Sequence, residues 1–165
     1  MEDLRIVNID VGNEAQGRLL LELLDHYARD PMGGARALPD AVRAQLLPAL
    51  RDFPGYHGAL AFCGERAVGL INCFTGFSTF AARPLLNIHD MVTHRDFRRR
   101  GVGAALLAWA EQRARSLGCC KVTLEVLSNN AAAMAAYRDA GFVPYELDPS
   151  AGHALLMQKT IRNNG

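Results

Sequence analysis

Residues 95–118 read RDFRRRGVGAALLAWAEQRARSLG, three arginines running into a Gly-x-Gly and then directly into a stretch rich in alanine and leucine. A helix beginning there exposes about four N–H groups without partners and carries roughly half a positive charge at that end. Gly101 and Gly103 have no Cβ, so a ligand can come close to their backbone. Arginine adds planar, bidentate donors that suit phosphate. The chemistry predicted at this junction is the cradling of a phosphate-like anion. A solvated basic loop, with glycines that only turn the chain, is the plainer alternative.

Two nucleotide cradles do not fit. The P-loop string G-x-x-x-x-G-K followed by Ser or Thr is absent. The dinucleotide fingerprint G-x-G-x-x-G is half present in GVGAAL, with Leu106 in place of the third glycine, and Glu125 even mimics the ribose-binding acid. That fingerprint expects its glycines directly after a strand, whereas HRDFRRR intervenes here.

The run Arg98-Arg99-Arg100-Gly101-Val102-Gly103-Ala104 resembles the signature of the GNAT superfamily of acyl-CoA-dependent N-acetyltransferases: Gln or Arg, two residues, Gly, one residue, then Gly or Ala. A second block, NNAAAMAAYRDAGF at 129–142, is similar to that family's N-x-x-A-x-x-x-Y-x-x-x-G-F element, at the family's separation of one helix and one strand. The resemblance implies acetyl-CoA as co-substrate and no metal. The anion is then the pyrophosphate of coenzyme A, held by backbone amides from Arg98 to Ala104, with Val102 packed into the core. Arg99 and Arg100 either reach the 3′-phosphate or are solvated. The resemblance further implies that pantetheine pairs with the strand at Met91 and Thr93, that an amide near Met91 or Val92 stabilises the oxyanion, and that Asn130 bonds pantetheine. An N-cap role for Asn130 is compatible with that. Tyr137 matches the family's tyrosine near the sulfur.

Acetyl transfer to an amine needs a neutral nucleophile. An alkylamine of pKa about 10.4 is deprotonated roughly once in a few thousand at pH 7, a handicap of about 4.6 kcal/mol. A base is therefore valuable, and the departing thiolate profits from a proton. The Tyr137 phenol is the natural donor. Asp90, a carboxylate among apolar strand neighbours, is the first candidate base, with a structural salt bridge as its rival. Glu125 is the second. His89 alternates with Asp90, so only one of them faces a cleft unless a bulge intervenes. Acceptor specificity is expected from 29–39 and 75–84, with Phe74, Phe77 and Phe80 as an apolar wall and acids that favour a cationic amine.

The elements that must position these groups follow from periodicity and turn chemistry. The pattern predicts strands at 3–10, 57–63, 67–74, 85–93, 120–127, 142–147 and 153–161, and helices at about 14–29, 41–52 (capped by Asp40), 102–117 and 130–140. The order βααβββαβαββ is α/β: a mixed, mostly antiparallel sheet of six to seven strands flanked by helices, which agrees with the GNAT fold over 1–165 as a single domain. With 165 residues, 50% hydrophobic, such a core is affordable in size, and a net charge of +1 gives no global field for nucleic acid or membrane. The start MEDLRIVNID has acids where a signal peptide carries bases, so a cytoplasmic location is expected. Cys63, Cys73, Cys119 and Cys120 lack metal-ligand spacing and read as reduced packing residues. The expected function is transfer of acetyl from acetyl-CoA to a primary amine of a small molecule or peptide by direct attack in a ternary complex. The alternatives are a non-catalytic acyl-CoA-binding sensor and an interaction protein that binds no coenzyme A. A homodimer is common for this architecture.

Overall fold

A computed structural model describes residues 4–161. Strand β1 (Leu4–Asn8) leads into α1 (Glu14–Ala28), α2 (Asp40–Asp52), then β2 (Tyr56–Cys63), β3 (Arg66–Ser78), β4 (Arg83–Thr93), α3 (Val102–Ser116), β5 (Val122–Leu124) and α4 (Ala131–Asp139). The sheet order is β1-β2-β3-β4-β5, with every pairing antiparallel except β4 with β5. Asn13 caps α1 by accepting the Gln16 amide at 3.1 Å.

Both faces of the sheet are covered. On one, Leu106, Leu107 and Ala110 of α3 pack on Ala61, Ile71, Leu86 and Ile88. On the other, Leu20 and Leu23 of α1 and Leu50 of α2 pack on Leu60, Leu70 and Val92. Alternation along β3 produces this division: Ile71 and Cys73 face α3, while Leu70, Asn72 and Phe74 face α1 and α2.

Among the described residues the sheet has five strands, not the expected six to seven. Residues 142–147 and 153–161 are rich in apolar residues and were expected as strands, yet their backbone is irregular. A strand needs a partner edge, and β5 offers three residues instead of the expected eight. Val143, Leu147, Leu155, Leu156, Met157 and Ile161 are consequently exposed. The hairpin of β3 and β4 is longer than expected, pairing from Gly69 with Thr93 to Ser78 with Arg83, so the anticipated turn at 75–84 is mostly ladder.

Candidate active site

The arginine-glycine junction has a fixed backbone. A short 3-10 turn, Arg95–Phe97, is capped by His94, and the guanidinium carbons of Arg66 and Arg100 lie 4.9 Å and 5.2 Å from the Phe97 ring centre. Arg98 does not point freely at an anion: its Nη2 pairs with Asp30 Oδ2 at 2.8 Å. The Met32 amide, then Arg98, hold the Asp30 carboxyl below its ordinary range. Arg99 (φ +62°) is exposed, and Gly101 (φ +81°) occupies the left-handed region that favours glycine. No side chain caps α3, whose first helical bond runs from the Ala105 amide to the Gly101 carbonyl at 3.0 Å. The preceding amides, Val102 to Ala104, are the orphan donors of the helix start. Val102 itself is buried, as expected.

That helix start stands over a gap in the sheet. The parallel ladder pairs Leu86, Asn87 and Ile88 with Val122, Thr123 and Leu124, and there β5 ends, while β4 continues to Thr93. The backbone of Met91, Val92 and Thr93 thus has no β5 partner. A Cβ added at Gly103 would lie 3.8 Å from Met91 Cε and 3.9 Å from Thr93 Oγ1, which places the turn directly above the strand end. A groove of about 1400 Å³ follows between α3, β5 and α4, lined by Ala104, Leu107, Leu124 and Tyr137 among others. Uncapped amides at one end and, below, strand backbone without a partner on its β5 side fit a long co-substrate with an anionic head and an amide-bearing arm.

Tyr137 on α4 is half-buried beside Phe142. Burial, and then Tyr27 of α1, push its phenol up, so it stays protonated and able to donate. Asn130 is the α4 N-cap, its Oδ1 accepting the Ala133 amide at 3.2 Å. Glu125 sits just past the end of β5, exposed on the groove side, not within a strand as expected.

Asp90 is positioned by a bulge. Asn72 pairs with Asp90 and Cys73 with Ile88, leaving His89 as an extra residue in β4. Both His89 and Asp90 therefore face α1 and α2. The His89 ring stands edge-on to Phe74 with centroids 5.6 Å apart, and Asp90 Oδ2 accepts from Asn72 Nδ2 at 3.0 Å. Asn72 Oδ1 accepts in turn from the Tyr56 hydroxyl at 2.8 Å. Burial raises the Tyr27 phenol, and the charges of Asp90 and Asp30 raise it further. A second hollow of about 420 Å³ reaches His89, the residue before Asp90, and is lined by Ala49, Leu50, Phe53, Phe74, Asn87 and His89. Of the expected aromatic wall only Phe74 is here; Phe77 and Phe80 are exposed near the hairpin tip.

Tyr27, Tyr56 and Asn72 were not expected at this place. Asn72 carried a signal, as the lone amide in the apolar run AVGLINCF. Tyr56 and Tyr27 carried none, because their roles depend on contacts distant in sequence.

The family model for acetyltransferases (GNAT) matches residues 20–142. No curated protein matches the sequence. Among solved structures, an aminoglycoside acetyltransferase, meta-AAC0020, from an uncultured soil metagenomic sample, in complex with trehalose, superposes with TM-score 0.75 at 16% identity, over 96% of this chain and 97% of that one. The aminoglycoside N-acetyltransferase AAC(6')-Iy in complex with CoA gives 0.73 at 15% identity, over 98% and 97%. A probable acetyltransferase gives 0.76 at 23% identity, over 94% and 99%. At these identities the likeness is one of fold.

Proposed function

The chain belongs to the acetyltransferase (GNAT) family, and from that premise we propose that it moves the acetyl group of acetyl-CoA to a primary amine by direct attack. The observation that carries the reading is the parallel ladder ending at Ile88 and Leu124 beneath the uncapped start of α3. Amides of Val102 to Ala104 hold the pyrophosphate, and the free backbone at Met91 to Thr93 orders the pantetheine arm and the thioester carbonyl. Asp90 takes the proton from the acceptor amine, and the Tyr137 hydroxyl gives one to the departing thiolate. The two groups come from different helix faces of the sheet, which keeps acid and base separate.

The acceptor approaches from the α1 and α2 face, where the hollow against Leu50, Phe53 and Phe74 adjoins Asp90 through His89. Its lining suits a primary amine with an apolar or aromatic body better than the polyhydroxylated, polycationic rings of an aminoglycoside. Two measurements test the reading. Calorimetric titration with acetyl-CoA should give micromolar binding, and thiol release should accompany acetylation of a primary amine such as phenethylamine. Binding without turnover of any amine would favour a sensor, and no binding would end the enzyme reading.

A further inference from the structure

Asn72 is a buried polar side chain, 3% exposed, in the middle of the sheet. Both ends of its amide are used, and differently: Oδ1 accepts the Tyr56 hydroxyl at 2.8 Å, and Nδ2 donates to Asp90 Oδ2 at 3.0 Å. The direction of this chain is set by charge. A flipped amide would turn Oδ1 toward the Asp90 carboxylate, two acceptors facing each other. The Tyr56 phenol is pushed up by burial first, then by Cys73 and Asp90, so it remains a hydroxyl that can donate.

The backbone is shaped for this chain. Asn72 is the residue opposite Asp90 at the β4 bulge, which brings the carboxylate to the amide. On its other side Asn72 pairs with Gly58 of β2. A Cβ at position 58 would lie 2.2 Å from the Tyr56 hydroxyl oxygen and 2.8 Å from its Cζ. Glycine there lets the Tyr56 ring lie across its own strand and reach Asn72.

We propose that Asn72 and Tyr56 are positioning residues: through Oδ2 they hold the Asp90 carboxylate turned so that its other oxygen meets the acceptor amine. The inference rests on the reading of Asp90 as the base. Neither residue needs to touch the substrate. Tyr56 acts two hydrogen bonds away from the proton it helps to move, so its loss weakens the chemical step and leaves acetyl-CoA binding alone.

The test is steady-state kinetics on phenethylamine and a panel of primary amines, with Tyr56→Phe, Asp90→Asn, the double variant, and the isosteric Asn72→Asp, each checked for folding by thermal melting. Tyr56→Phe should lower kcat by about 3- to 10-fold with the KM for acetyl-CoA unchanged. Asn72→Asp, which replaces the donor by an oxygen, should lower it further. In the Asp90→Asn background Tyr56→Phe should have no additional effect, whereas a general structural lesion would multiply. A Tyr56→Phe effect equal in both backgrounds, or absent in folded protein, overturns the inference while Asp90 keeps its role. An Asp90→Asn variant as active as wild type, or a panel with no acceptor at all, overturns the base reading and this inference with it.

Discussion

Placing a carboxylate at Gly103 should move binding and stability in opposite directions. Gly103 is the second residue of α3, and its side-chain direction opens toward Met91 Cε and Thr93 Oγ1 at 3.8 Å and 3.9 Å, ordinary contact distances. A Cβ fits there without displacing backbone. For the fold the change is favourable: a non-glycine residue in a helix and an acid in its first turn together contribute about 1 kcal/mol, raising Tm by about 2–4 °C. For an anion held by the same amides it is unfavourable. One like charge on the order of 6 Å away, at an effective dielectric of about 20–40, repels by about 1.4–2.8 kcal/mol. The Kd for acetyl-CoA should therefore rise by about 10- to 100-fold. Calorimetric titration and thermal melting read the two quantities, and Gly103→Ala separates bulk from charge. A Gly103→Asp protein with a raised Tm and an unchanged Kd would refute the anion site at α3. A lowered Tm would refute the account of the helix start.

Phe53→Ala should raise the KM for phenethylamine several-fold and leave acetyl-CoA binding unchanged, because Phe53 lines the hollow on the α2 face and not the groove between α3, β5 and α4; equal KM values would move the acceptor elsewhere. Gly69→Ala should overpack the contact between β3 and α3, since its Cβ would lie 2.7 Å from Val102 Cγ1 and 3.1 Å from both Ala61 Cβ and Leu106 Cδ1. A loss of about 1–3 kcal/mol in urea denaturation is expected, and an unchanged midpoint would show that α3 can shift. His26 stacks on His94 with centroids 4.4 Å apart, and burial, then His94, Arg95 and Arg98, hold it below its ordinary 6.5, with Asp30 opposing. The unfolded chain binds that proton more readily, so stability is full above the unfolded value and declines as pH falls through it toward the folded value. Tm should drop as pH falls below about 6.5, and His26→Gln should flatten the slope; an identical slope would exclude His26.

What the sequence made legible was local. The helix start at Gly101, the cap Asn130 and the helix at 130–140 depend on residues a few positions apart, and they lie in the expected elements. What failed depended on partners. The apolar content of 142–147 and 153–161 says that these segments could pair as strands, but not that an edge awaits them, and β5 is too short to supply one. Glu125 missed its strand for the same reason. Phe77 and Phe80 looked like a wall because the hairpin looked short; with pairing extended to Ser78 and Arg83 they sit near its tip in solvent. The link from Tyr56 to Asp90 crosses three strands, and no window along the chain contains it.

The bulge at His89 shows how much one residue decides. With strict alternation, Ile88 on the α3 face would put Asp90 on that face too, buried with Leu86 and Leu106 in an apolar core where a carboxylate is heavily penalised. The extra residue breaks the period: Ile88 and Met91, three apart, both pack with the α3 core, while Asp90 and Val92 face α1. It does so at the position where β5 stops pairing, since Ile88 is the last rung of the parallel ladder. The same irregularity therefore lies where the ladder beneath α3 ends and turns the carboxylate toward α1 and Asn72. Deleting His89 would not merely remove a side chain from the hollow. It would force either Asp90 into the core or Ile88 out of it, and the single site would become two faces with no group in common.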